Sequence, residues 1–285
     1  VFCLGEATVG YLSNSLALMA DAGHNFADAL ALALSALALW MATKPADSKR
    51  TFGYHRVGII AALVNAAGLV VMAAAIFWEA LQRLNAPEPV QSWPMIWVAL
   101  LAIILNSVIA WWLFIAAKED LNVRSAYLHM VGDAVASFGV VVAGIIIGLT
   151  GAYIADPIVS IIFAALVLWS SWSIFTESIQ VLLEAAPAGL DLAKVEQAIR
   201  SVTGVLDTHD LHVWTVSSGL IAGSCHIVVA DQSVSDSQQI HQNVAHMLEH
   251  EFEISHSTIQ VEVEDCGGHE HTKHSKHEHQ HEHAH

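Results

Sequence analysis

Five stretches of this chain, about 16–42, 57–82, 94–117, 124–148 and 157–183, are apolar over lengths that a soluble fold rarely needs, and residues 1–12 look like part of a sixth. A bilayer core of about 30 Å takes roughly 20 apolar residues in helical form. That ruler therefore reads one partial and five complete transmembrane helices. The bulk composition agrees, being 55% hydrophobic and only 13% charged, with a mean hydropathy of +0.52. Such a chain is too apolar and too poor in charge for an ordinary soluble domain. Polar breaks separate the runs at Ser13-Asn14-Ser15, Lys44-Pro45, Pro87-Glu88-Pro89, Lys118-Glu119-Asp120 and Gly148 to Gly151. Asp156-Pro157 reads as a helix cap followed by proline at the first helical position.

The apolar character stops near residue 186, and residues 187–265 form a soluble mixture ahead of a tail over 266–285. From residue 187 onward 15 acidic residues face 4 basic ones, which gives −11 of the formal net charge of −16. Nucleic acid, which demands basic surface, is excluded as a partner. Cation handling fits better. The three cysteines, Cys3, Cys225 and Cys266, have no C-x-x-C spacing and make no disulfide framework. Because the chain starts at Val1 inside an apolar segment, the first span is expected to lack its beginning rather than to be a signal peptide.

Lys and Arg in short loops orient the spans. Lys44, Lys49, Arg50 and Arg56 follow the second span and Lys118 and Arg124 the fourth, whereas the intervening loops carry only Arg83. The even-numbered loops, both termini and the acidic domain are therefore expected in the cytoplasm of a multi-pass cell-membrane protein.

Ionisable side chains inside a bilayer are costly, and they mark function by default. The second span holds Asp21, His24 and Asp28, and the fifth holds His129 and Asp133. His24/Asp28 and His129/Asp133 share the form H-x-x-x-D, which puts an imidazole and a carboxylate on one helix face, one turn apart. Face to face, the two pairs supply four N/O ligands, the number and kind a tetrahedral Zn2+ site uses. A single such pair would read equally well as a helix-stabilising contact. Two pairs incur the burial cost twice. Asp21 stays outside the predicted site, as either an exit-path acid or a structural acid at a helix interface. Asn65 and Asn106 are expected to bond between helices, and Gly68, Gly139 and Gly144 to allow close helix approach. The tryptophans, Trp93, Trp97, Trp111 and Trp112 among them, suit interfacial belts or packing.

In the soluble part, Leu192, Val195, Ile199 and Val202 form a helical stripe ended by Gly204. Strand-like runs over 207–216 and 220–229 flank Ser217-Ser218-Gly219, a hairpin signal, and a helix over 235–250 precedes a strand over 257–264. The order αββαβ predicts a small α+β, ferredoxin-like domain with helices on one face of the sheet. His209, His226 and Glu262 come one from each strand and form a candidate second metal site. The tail from His269 to His285 holds eight histidines among Glu and Lys. Its composition builds no core and reads as disordered, either a weak metal sponge or a solvated tail.

Paired H-x-x-x-D in the second and fifth of six spans, followed by a cytoplasmic αββαβ domain, resembles the cation diffusion facilitator family. The stretches SNSLALMADAGHNFADAL, TFGYHRVGIIAALVN, LNVRSAYLHMVGDAVASFGVV and HDLHVWTV are similar to its zinc-transporting branch, the bacterial zinc, cobalt and cadmium efflux type. That resemblance implies a homodimer in membrane lipid that exports Zn2+, or Co2+ or Cd2+, against protons, with His24, Asp28, His129 and Asp133 as transport ligands. It implies no enzyme activity and no resident cofactor, with zinc serving as substrate and as a possible regulatory ligand. The sequence departs from some bacterial members in the loop after the second span, where Asp47 is accompanied by Arg50 and Tyr54 instead of histidine. His55 resembles a position that some zinc transporters use between their two domains, with a structural or interfacial role as the alternative. An intramembrane zinc enzyme is the main rival from another class, but catalytic zinc keeps three protein ligands and an open position. A passive channel and a metal sensor are the others.

Overall fold

The computed structural model describes residues 2–116, 121–217 and 219–264. The break at Lys118-Glu119-Asp120, Ser218 of the hairpin, Cys266 and the histidine tail lie outside the described residues. The chain divides into two compact units between Ile179 and Gln180.

The first unit is helical: α1 (Phe2–Ser13), α2 (Leu16–Ala42), α3 (Val57–Asn85), α4 (Ser92–Ala116), α5 (Leu121–Thr150) and α6 (Ala155–Leu182). Five of these, α2 to α6, are long and apolar enough to cross a membrane, whereas α1 is a 12-residue helix packed on α2. Large apolar side chains face outward, with Trp112 82% exposed and Trp169 80% exposed. Such a surface suits lipid and not water. Inside, alanines carry much of the packing: Ala20, Ala73 and Ala164 meet Leu69, Phe163 and Val167 where α2, α3 and α6 converge. Gly144 does what the sequence reading asked of it, since a Cβ there would lie 2.6 Å from Ile96 Cγ1 of α4. Gly68 and Gly139 press on nothing closer than ordinary contact.

Helix ends differ from expectation in two informative places. Because α6 starts at Ala155, Asp156 sits inside its first turn and does not cap it. The buried Asp156 carboxylate instead accepts hydrogen bonds from Leu16 N at 2.7 Å, Ala17 N at 3.3 Å and Ser15 Oγ at 2.6 Å. It therefore caps α2, together with Ser15, whose Oγ accepts from Leu18 N at 3.2 Å. The first amides of a helix have no partners within it and carry a partial positive charge, so an anion from a neighbouring helix serves them well. Arg83 also lies within α3, not in a loop. Its guanidinium pairs with Glu79 and Glu88 and donates to the Asn14 carbonyl at 2.9 Å, which ties α3 to the α1–α2 turn.

The second unit has the expected order: α7 (Leu192–Ser201), β1 (Val205–Ser217), β2 (Leu220–Val229), α8 (Val234–Phe252) and β3 (His256–Glu262). The sheet order is β1-β2-β3, with β1 antiparallel and β3 parallel to β2. Asp191 and Ser233 cap the two helices, and Gly204 takes φ +98° where α7 turns into β1. Val195 and Ile199 of α7, with Ile240, Val244 and Leu248 of α8, pack on Val213, Cys225, Ile227 and Ile259 of the sheet. Side chains alternate along a strand. His226, between Cys225 and Ile227, thus belongs to the opposite face.

Candidate metal centre

The helices α2 and α5 meet through three successive side-chain rungs. Asp28 faces His129, His24 faces Asp133, and Asp21 faces Ser137. Numbers fall along α2 as they rise along α5, so the helices run antiparallel, and that direction sets each imidazole against the other helix's carboxylate. Identical H-x-x-x-D pairs on antiparallel helices are thereby crossed into a four-membered cluster.

Four N–O separations define it. His24 Nε2 lies 3.5 Å from Asp28 Oδ2 and 3.6 Å from Asp133 Oδ1, and His129 Nε2 lies 3.2 Å from Asp28 Oδ2 and 3.6 Å from Asp133 Oδ2. A tetrahedron with metal–ligand bonds of about 2.0 to 2.1 Å has edges of about 3.3 to 3.4 Å. Ligand atoms of His24, Asp28 and His129 fall within 4.8 Å of one another, whereas Asp133 stands outside that group and meets the two imidazoles through different oxygens, Oδ1 to His24 and Oδ2 to His129. Asp133 is buried while His129 is 43% exposed, so the cluster opens to one side. The His24 ring stands edge-on to Phe163 of α6, 5.8 Å between centroids. Its Nδ1 is buried without a hydrogen-bond partner among the described residues, and Nε2 is the nitrogen turned to both carboxylates.

A second cluster forms on the open face of the sheet. His209 and His226 are directly paired across β1 and β2, with ring centroids 5.1 Å apart. Glu262 of β3 reaches both: Oε2 lies 3.4 Å from His209 Nε2 and Oε1 3.0 Å from His226 Nδ1. All three residues predicted from the strands are brought together here. Asp210, in a β1 irregularity with φ +51°, comes within 3.8 Å of His226 Nε2 and bonds His212 at 3.0 Å.

The family model of the cation efflux transmembrane domain matches residues 1–183, and that of the cation efflux protein cytoplasmic domain matches residues 187–264. The chain belongs to the cation efflux family. Among its relatives, the cadmium, cobalt and zinc/H(+)-K(+) antiporter of Bacillus subtilis is 40% identical over 91% of this chain and 84% of its own. The zinc transporter ZitB of Escherichia coli is 38% identical over 94% of this chain and 85% of its own. The metal cation efflux system protein CzcD of Cupriavidus metallidurans is 38% identical over 93% and 84%.

In this cation efflux chain the loop after α2 has its acid already engaged. Asp47 accepts from the Lys49 and Arg50 amides at 2.8 Å each, from the Tyr54 hydroxyl at 3.0 Å and from Arg50 Nη1 at 3.1 Å. The Lys49 amide first, then Tyr54 and Arg50, hold its carboxyl below the usual carboxylate range. His55 is exposed and belongs to neither His/carboxylate cluster. Burial pushes the Cys225 thiol up to about 11, so it serves the core as a neutral side chain and not as a thiolate ligand.

Three polar residues escaped the sequence reading. Gln260 donates to Glu262 Oε1 at 2.6 Å and orients it, a contact that the alternation of β3 allowed but did not announce. Asp210 depended on a bulge, which has no sequence period. Glu6 was legible as an acid within an apolar run, and it lies buried against α2.

Proposed function

We propose that this chain is a six-span efflux transporter that carries Zn2+ out of the cytoplasm in exchange for protons, and not an enzyme. His24, Asp28, His129 and Asp133 hold the ion in transit. The observation that carries this reading is the gathering of two imidazoles and two carboxylates from α2 and α5 at N–O separations of 3.2 to 3.6 Å, with the ligand atoms of His24, Asp28 and His129 all within 4.8 Å of one another. Four protein ligands saturate a tetrahedral ion and leave no position for activated water, which suits passage better than hydrolysis. The relatives, a cadmium, cobalt and zinc/H(+)-K(+) antiporter, a zinc transporter and a metal cation efflux system protein, support the same substrate class. Co2+ and Cd2+ are secondary substrates. Both termini lie in the cytoplasm, and a pair of chains forms the working homodimer.

Metal binds imidazole only when neutral and carboxylate only when ionised, so binding displaces protons. An imidazole's ordinary pKa of about 6.5 puts that exchange near neutral pH. His209, His226 and Glu262 hold a second, regulatory zinc, with Asp210 beside them.

Titration calorimetry of the chain carrying His209→Ala and His226→Ala, with residues 269–285 removed, isolates the membrane cluster. In buffers of different ionisation enthalpy at pH 6 to 7, zinc binding is expected to release protons, and Asp28→Ala is expected to abolish it. Zinc binding without proton release, or binding that survives Asp28→Ala, would refute the assignment.

A further inference from the structure

Two carboxyl groups are buried in the helical unit beside the metal cluster. Glu6 of α1 is 1% exposed and Asp21 of α2 is 0% exposed. Each has one oxygen served by a neutral donor: Asn25 Nδ2 bonds Glu6 Oε2 at 3.1 Å, and Ser137 Oγ bonds Asp21 Oδ2 at 2.7 Å. The other two oxygens, Glu6 Oε1 and Asp21 Oδ1, have no donor among the described residues. Asn25, the donor to Glu6, follows Asp21 by one helical turn on the same face of α2, so the two carboxyl groups are neighbours that act on each other.

Two ionised carboxylates offer only acceptors, so they make no bond to one another and repel. A single proton between them converts one oxygen to a donor and satisfies both orphans. The titratable groups facing the pair are His24 on α2 and Asp133 on α5, neither of them a permanent cation. Among the described residues no permanent cation faces the pair to offset a double negative charge.

We propose that Glu6 and Asp21 form an acid–carboxylate pair that holds one proton, distinct from those displaced at the metal ligands, and releases it when a divalent cation fills the His/Asp cluster. The protonated pair carries one negative charge. Loss of the proton to water leaves two negative charges and no change of oxidation state. Asp21 precedes His24 by three residues, about 4.5 Å of helical rise, so an ion of charge +2 at the cluster favours the doubly ionised pair. Departure of the ion returns the proton.

The same bonds tie the pair to both metal-bearing helices. Ser137 follows Asp133 by one turn of α5, and Asn25 adjoins His24 on α2. The charge of the pair thus acts where α1, α2 and α5 meet. The pairing itself rests on burial, on the two orphaned oxygens and on the helix face that Asp21 shares with Asn25, while its release by metal rests on the proposed role of the cluster.

Infrared difference spectroscopy of the full, zinc-free chain reads the proton directly. A protonated-carboxyl band is expected that disappears on adding Zn2+ and is absent from Glu6→Gln and from Asp21→Asn. In calorimetry both variants are expected to keep zinc binding while releasing about one proton fewer per zinc. The proposal is overturned if the unmodified chain has no such band, a reading that needs no variant to fold. It is also overturned if both variants bind zinc with an unchanged proton count. If zinc does not bind the unmodified cluster but the band is present and depends on both residues, the metal assignment fails and the shared proton stands.

Discussion

At the scale of single residues, the membrane cluster is composed of two stiff imidazoles and two adaptable carboxylates. Raw affinity along the first-row metals does not select zinc, so ligand type and geometry must. A compact tetrahedron disfavours a larger ion, and an imidazole adjusts less than a carboxylate, which binds through one oxygen or two. Replacing His24 by Asp is therefore expected to preserve Zn2+ transport and to raise Cd2+ transport relative to it. Competitive uptake of the two ions in vesicles measures this. An unchanged preference would move selectivity from the ligands to the helix packing. The four residues that meet between α2 and α5 were legible in the sequence because H-x-x-x-D encodes its own geometry: i,i+4 spacing fixes the face, and the membrane makes every charge conspicuous. Asp21 was equally conspicuous but ambiguous, since its partners Glu6 and Ser137 sit on other helices at spacings that no local period reveals.

At the scale of elements, α2 is set in place by an acid that the sequence appeared to assign elsewhere. Asp156 reads locally as the cap of its own helix, and tertiary structure gives it to the amides of Leu16 and Ala17. The sequence signal for a cap names a residue type, not the helix it serves. Removing the carboxylate with Asp156→Ala leaves buried donors unpaired, at about 1 to 3 kcal/mol for such a group. The start of α2 lies eight residues before His24, so the same change loosens the helix that carries His24 and Asp28. Thermal unfolding of the purified chain is expected to shift several degrees lower, with Asp156→Asn closer to the unmodified chain. Equal stability in all three would show that the α2 amides find water instead. The strands of the second unit were legible for the opposite reason. Period-two alternation set His226 and Glu262 on the open face, and the hairpin signal made β1 and β2 antiparallel neighbours, while the register that opposes His209 to His226 also depends on shifts between Thr215 and Ser217 and between His209 and His212. The bulge at Asp210 was not, because an inserted residue breaks the period on which the reading relies.

For the whole molecule, the apolar runs announced the helical unit and the change of composition near residue 186 announced the second one. The antiparallel crossing of α2 and α5 then converts a repeated sequence motif into one cluster. The central claim is that a metal ion passes through that cluster in exchange for protons. Proteoliposomes containing the full chain, loaded acidic inside and supplied with Zn2+ outside at higher pH, measure it most directly. The account predicts zinc uptake accompanied by proton efflux, both collapsing when the pH gradient is dissipated and both abolished by Asp133→Ala. Zinc uptake that continues at the same rate without a pH gradient, or that survives Asp133→Ala, would contradict it.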